Sequence, residues 1–213
     1  THYENFQVNN ERSPLGSAHF WGEPVWGYYN SEDPWVMRRQ IEMLTMAGVD
    51  FICFDTTNAV LYQNVVDVLL EILEEYRQQG WDVPKFMYYL GNNDNYMTDL
   101  KTLYNKYYKA GSEKYKELWF APEGKPFITK PDYIAFDEND PEEKAIGETF
   151  NFKNVFWPDG LPDDNGLSWM EWTFDSVSGK GQPRHGDWIS VSVAQHPTVR
   201  FSDTIGTWGR GYD

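Results

Sequence analysis

Val49-Asp50-Phe51-Ile52-Cys53-Phe54-Asp55-Thr56-Thr57-Asn58 is the stretch on which the fold turns. An apolar run without alternation, preceded by Gly48 and stopped by polar residues, predicts a strand buried on both faces, the strand type of parallel sheets. Functional groups of α/β architectures gather where the carboxyl ends of parallel strands meet the following loops. Asp55, Thr56, Thr57 and Asn58 are therefore placed at a candidate site. The other reading of Asp55 is that it caps the next helix or braces the loop.

Outward from this strand the pattern repeats. Asp33-Pro34 opens a helix, with an Asx cap followed by a proline whose missing N–H costs nothing at the first helical position. Val36, Met37, Ile41, Leu44 and Ala47 share one face of it, Arg38, Arg39 and Glu42 fall elsewhere, and Gly48 supplies the left-handed cap. After the Asp55 loop a second helix is predicted over 63–79, with Glu71, Glu74, Glu75, Arg77 and Gln78 outward and Gly80 closing it. Lys85 to Leu90 is a further buried strand ending in a polar burst, Gly91-Asn92-Asn93-Asp94-Asn95, and a third helix follows through Met97, Leu100, Leu103, Tyr104 and Tyr107. Residues 118–129 suggest a hairpin-type excursion whose second arm enters the sheet, and Asp140-Pro141 starts a short helix. Further strand candidates are 25–29, 154–157, 167–172 and 188–194, the last alternating as Ile189-Ser190-Val191-Ser192-Val193. The connections 158–166 and 176–187 are long and rich in Gly, Pro and Asp, as functional loops tend to be.

Alternation of strands and helices predicts βαβ units and a parallel sheet. No Gly-x-Gly-x-x-Gly or Walker-type loop follows any strand, which removes the usual nucleotide-binding reason for an open sheet and favours a (β/α)8 TIM-type barrel. A barrel takes about 250 residues, and here about six strand candidates share 213. The expected organisation is an extended lead-in over 1–18 and a barrel domain over 19–213, its last strands missing. An incomplete barrel leaves unpaired edges, so a second chain or domain completing it is an expected partner.

Composition narrows the partners. The formal net charge of -15 argues against nucleic acid, whose binding needs clustered Lys and Arg. No run approaches the ~18 apolar residues of a membrane-spanning helix. Cys53, the one cysteine, forms no disulfide within the chain and reads as an inert core residue. His19, His185 and His196 never occur at ligand spacings such as His-Glu-x-x-His, so neither a metal nor another cofactor is expected. Aromatic residues make up 17% of the chain, and many stand beside Gly, Pro, Asp and Asn, as in Phe20-Trp21-Gly22-Glu23-Pro24 and Trp169-Met170-Glu171-Trp172. Core packing explains any single ring, whereas clusters in loops suit the stacking of sugar rings.

Four stretches together resemble glycoside hydrolase family 71/99-like bacterial proteins, a group with endo-acting α-mannosidases and α-glucanases: Trp21-Gly-Glu-Pro-Val-Trp-Gly-Tyr-Tyr29, Asp33-Pro-Trp35, the segment from Ala47 to Asn58, and Ile189-Ser-Val-Ser-Val-Ala-Gln-His-Pro197. The resemblance implies a (β/α)8 barrel acting on polysaccharides or glycans, secreted or periplasmic, without a metal. It departs from the family 99 pattern in one respect: the Asn-Glu-Trp motif that carries those enzymes' essential carboxylates does not occur here.

Glycosidic cleavage generally uses two carboxyl groups. Asp55 and Glu171 are the candidate catalytic pair, with Glu23 as a third carboxylate, and all three become substrate-binding residues if the family's essential pair lies in the missing strands; Glu171 lies between two tryptophans, where desolvation raises a pKa, and its other reading is an exposed loop carboxylate. Trp21, Glu23, Tyr29, Thr57, Asn58, Asn92, Trp169, Trp172, Gln195 and His196 are the candidate substrate-binding residues. Two function classes follow, a carbohydrate-active hydrolase and a non-catalytic glycan-binding module on the same scaffold.

Overall fold

The structure, a computed structural model, describes residues 24–27, 29–91, 93–109, 113–156, 166–168, 184–185 and 188–189. The expected lead-in over 1–18 falls outside them. The described residues group into two compact units, one drawn from Thr1–Asp50 and Tyr62–Pro84, the other from Phe51–Leu61 and Lys85–Asp213.

Among the described residues the first unit holds two helices, α1 (Pro34–Met46) and α2 (Gln63–Gln78). Asp33 caps α1 as predicted, its carboxylate accepting from the Trp35 and Val36 amides at 2.9 and 3.4 Å. Gly48, at φ 70°, ends it, and the Val49 amide reaches back to the Leu44 carbonyl. Val36, Met37 and Ile41 are buried on α1, and Val66, Leu70 and Leu73 on α2. The Arg38 guanidinium meets Glu75 at 2.6 Å, and the Tyr76 hydroxyl donates to Glu42 at 2.9 Å. Two expectations fail here. The described residues of the stretch 25–29 form no strand, because Gly27, at φ 74°, closes a turn onto the Pro24 carbonyl. Glu74 does not face outward: it is buried, and its charge is met by two hydrogen bonds from Arg77 at 2.7 and 2.9 Å and one from Gln78 at 2.8 Å.

The second unit is built on a five-stranded sheet of β1 (Phe51–Thr56), β2 (Lys85–Leu90), β3 (Phe127–Lys130), β4 (Asn151–Phe156) and β5 (Gly166–Ser168). Every pairing is parallel and the strands lie in chain order. A doubly wound sheet reverses direction at a switch point, whereas this one runs one way throughout, as a barrel wall does. Among the described residues the crossovers inside this unit are α3 (Tyr96–Tyr107), a 3-10 turn (Glu113–Leu118) and α4 (Pro141–Thr149). Asp140 caps α4 through the Glu142 and Glu143 amides, again as predicted.

Curvature of the sheet follows from one hydrogen bond. The Tyr89 hydroxyl on β2 donates to the Leu167 carbonyl on β5 at 2.7 Å. In a flat sheet those strands would stand about 14 Å apart, beyond the span of one tyrosine and a hydrogen bond. The sheet therefore curls toward the Tyr89 side, giving the five-stranded half of a TIM-like wall. Register then sorts the side chains into two faces. Cys53 lies beside Met87 and Asp55 beside Tyr89 on the concave face; at its base Phe51 stacks on Phe120 with ring centroids 4.1 Å apart, and Phe120 meets Phe127 edge-on at 5.5 Å. On the convex face Phe86 and Tyr88 meet Trp119, and Tyr88 also meets Tyr107 of α3. Phe86 and Phe127 are fully buried, each contributing about 1.5–3 kcal/mol.

The strand β2 is buried along both faces, as its uninterrupted apolar run predicts. Its neighbour β1 is not. Among the described residues β1 is the lateral strand, and Cys53 and Asp55 are exposed on it, which corrects the expectation of a strand buried on both sides. Hydropathy is the same for a central and a lateral strand; position in the sheet decides burial. The excursion over 118–129 is also not a hairpin. Trp119 forms a parallel bridge with Phe86, and β3 then resumes in the same direction beside Tyr88. The strand expected over 154–157 starts earlier, at Asn151, directly after α4. Of the candidates 167–172 and 188–194, the described parts are β5 and β7 (Trp188–Ile189). The latter pairs antiparallel with β6 (Arg184–His185) and not with the parallel sheet.

Candidate functional site

The carboxyl ends of β1 and β2 build the described part of the expected mouth. Thr56 is buried and its hydroxyl donates to the Tyr89 carbonyl at 3.0 Å, which fixes the two strand ends together. Thr129 repeats this on β3, donating to the Leu90 carbonyl at 3.0 Å. Gly91 then brings the loops into close approach. A Cβ built there would stand 2.7 Å from Thr57 Cα and 3.0 Å from the Thr57 carbonyl oxygen, so only glycine lets the two chains pass at this distance.

Asp55 is the strand's last concave residue, exposed and register-matched to Tyr89. Its Oδ1 accepts from the Thr57 amide at 3.0 Å and from the Thr57 hydroxyl at 2.7 Å. The bracing role left open by the sequence is thus present. Asn58 is exposed and makes a similar local turn, its Oδ1 accepting from the Val60 amide at 3.3 Å. Ala59, at φ 59°, is held in the left-handed region by the hydrogen bond that its N–H donates to the Thr56 carbonyl.

Beside Asp55 lie two groups that sequence reasoning did not place. Burial, with Cys53 and Asp55 next to it, holds the Tyr89 phenol well above its usual range, so the hydroxyl stays protonated and donates to Leu167. Nothing in the run Lys-Phe-Met-Tyr-Tyr-Leu separates Tyr88 from Tyr89; the phenol's role comes from register alone. Cys53 is exposed by area, yet desolvation and then Asp55 push its thiol up to about 12. These two observations pull apart. A concave floor reconciles them: solvent reaches the sulfur, while surrounding atoms crowd it. Area governs access and crowding governs ionisation, so Cys53 is reachable but remains a thiol, inert for the reason given by its pKa and not by burial.

Of the other candidate residues, Tyr29 belongs to the first unit, exposed, its hydroxyl accepting from Gln40 at 3.0 Å. Trp21, Glu23, Asn92, Trp169, Glu171, Trp172, Gln195 and His196 lie outside the described residues. Asp55, Thr57 and Asn58 are therefore the predicted site residues that the structure brings together. Among the described residues no group of three or more His, Cys, Asp or Glu is placed to hold a metal ion, and no helix is long and apolar enough to cross a membrane.

No family model matches the chain, and no curated protein matches it in sequence. A solved structure with a distant likeness is the GH99 endo-alpha-mannosidase from Bacteriodes thetaiotaomicron in complex with BIS-TRIS-Propane. It shares 17% identity at a TM-score of 0.42, with 63% of this chain covered and 43% of that one. At that distance the likeness carries no argument, and the half-barrel architecture rests on strand order, register and the Tyr89 bond.

Proposed function

We propose that this chain is part of a carbohydrate-active hydrolase that cleaves glycosidic bonds of oligosaccharides or polysaccharides outside the cytoplasm. The observation that carries the proposal is the placement of Asp55: an exposed carboxylate on the concave side of a one-way parallel sheet, at a strand's carboxyl end. A carboxylate there, lined by a protonated phenol and by the Thr57 and Asn58 side chains, is equipped to orient sugar hydroxyls and to act in acid, base or nucleophile chemistry. The second carboxyl group that such chemistry requires is assigned to Glu171 on sequence grounds. The test is product analysis by chromatography after incubation with a panel of α-linked oligosaccharides, comparing the parent chain with Asp55→Asn. Asp55→Asn keeps an oxygen for the Thr57 brace, so a loss of at least about a hundredfold in product would be chemical and not structural. Equal product from both proteins would sink the assignment.

One observation favours the second reading, a glycan-binding module without catalysis. Asp55 Oδ1 is already engaged by both the amide and the hydroxyl of Thr57, an arrangement suited to holding a loop in shape for recognition. Binding on a glycan array without product from any bound ligand would establish it.

A further inference from the structure

At the other end of the sheet, where β2 begins and the chain approaches β3, an open pocket of about 520 Å³ is lined by Lys85, Lys116, Glu117, Tyr108, Trp119 and Phe120, among others. The carboxyl-end rule for parallel strands places this pocket away from the proposed catalytic face, so its chemistry has to be read separately. Charge is the first observation. Residues 101–125 carry six lysines against three glutamates in a chain whose net charge is -15. The lysines are dispersed over aromatic rings: Lys106, Lys109, Lys114 and Lys116 each stand 5.0 to 6.0 Å from the centroid of a tyrosine.

The second observation is what the two pocket lysines do with their protons. Lys85 Nζ donates to the Glu117 carbonyl oxygen at 2.6 Å, which uses one of its three N–H groups. Lys116 Nζ lies 5.0 Å from the Tyr108 ring centroid, a contact that uses none. Neither ammonium makes an ion pair with a carboxylate among the described residues; the contact between Lys85 and Glu117, the one acid in the lining, runs to the main-chain carbonyl and not to the carboxylate. Tyr108 and Phe120 are half-buried and line the same space.

We propose that this pocket binds a compact anionic group, a carboxylate or oxyanion, between Lys85 and Lys116, with any flat ring attached to it resting on Tyr108 and Phe120. Two sources share that chemistry: an acidic sugar such as a uronate, and a free inorganic oxyanion. The overall negative charge makes the inference testable, since general electrostatics repel anions from this protein and leave a saturable signal to a specific site.

The experiment is a two-dimensional amide NMR titration of the whole chain at constant ionic strength with glucuronate, inorganic sulfate and, as the neutral control, glucose. Saturable shifts confined to the amides around Lys85, Lys116 and Phe120 are expected with the anions and not with glucose. Lys116→Gln should weaken them about tenfold, the loss of one charge-assisted hydrogen bond, and Lys116→Arg should restore them. Tighter binding of glucuronate than of sulfate identifies the acidic sugar as the source, and equal binding identifies the oxyanion. The absence of saturable shifts with either anion, equal response to glucose, or an unchanged response in Lys116→Gln overturns the proposal. Lys116 is the chosen probe because Lys85 also supports the Glu117 main chain, and a parent-like amide spectrum of Lys116→Gln confirms that its fold is intact.

Discussion

Replacing Gly91 with alanine tests the link between the sheet and the Asp55 loop most directly. The added methyl would meet Thr57 Cα at 2.7 Å, its carbonyl oxygen at 3.0 Å and its Cβ at 3.1 Å. Two of those atoms are main chain, in the residue whose amide braces Asp55, so relief requires the end of β2 and the Asp55 loop to separate. Overpacking of this kind costs about 1–3 kcal/mol. An opposing gain of about 0.4–1 kcal/mol comes from the stiffer unfolded chain, because Gly91 is not among the positive-φ glycines and alanine can adopt its backbone angles. The net expectation is a loss of about 1–2 kcal/mol, read as a lower urea midpoint and a Tm lower by about 2–4 °C per kcal/mol. Two other glycines serve as references. Gly48 has φ +70° and nothing within 4 Å of its hypothetical Cβ, so Gly48→Ala carries a torsional penalty of about 1 kcal/mol without touching the mouth. Gly147 sits in α4 with the Phe136 ring 3.2 Å away, a side chain able to shift, so Gly147→Ala should come out near neutral. Only Gly91→Ala should move the Thr57 and Asn58 amide signals. Parent-like stability together with unmoved Thr57 signals would refute the close-approach argument.

Acid titration and thiol labelling probe other parts of the same frame. The Asp140 carboxyl is held below its usual range first by the hydrogen bond from Lys101 and then by the Glu142 amide. A depressed folded pKa gives stability that is present above the unfolded value of about 3.9 and lost as pH falls through the folded one. Lys101→Met should therefore raise the Asp140 midpoint in a carbon-detected NMR titration, and an unmoved midpoint would show that the ion pair does not form in solution. Native Cys53, with its thiol pushed up to about 12, should react with iodoacetamide at pH 8 far more slowly than the urea-unfolded chain, and accelerate as pH rises. Equal rates would mean that crowding at the concave floor is absent.

Local chemistry was legible wherever it was self-contained. Asp33-Pro34 and Asp140-Pro141 announced two helix starts because an Asx oxygen and a proline settle that geometry within four residues. The buried character of β2 and the glycine stops at Gly48 and Gly80 were equally plain. Position within the sheet was not. Nothing in Phe-Ile-Cys-Phe-Asp-Thr says whether a strand has one neighbour or two, so Cys53 passed for core and is exposed. Glu74 looked like solvent-facing charge because its compensation comes from Arg77 and Gln78, partners that helical spacing permits but does not require. At the site itself Asp55 was found by its place at the end of a run, while the choice between bracing and chemistry depended on where Thr57 points its amide and hydroxyl.

The bond from Tyr89 to Leu167 has a consequence for how this architecture can vary over evolutionary time. The acceptor is a main-chain carbonyl, which every amino acid supplies, so position 167 is free to drift as far as this bond is concerned. Position 89 is not, since a long side chain ending in a donor is needed to cross the hollow of the sheet. The constraint is one-sided: sequence drift tolerated at 167 and purged at 89, with no covariation between two positions that the fold holds in contact.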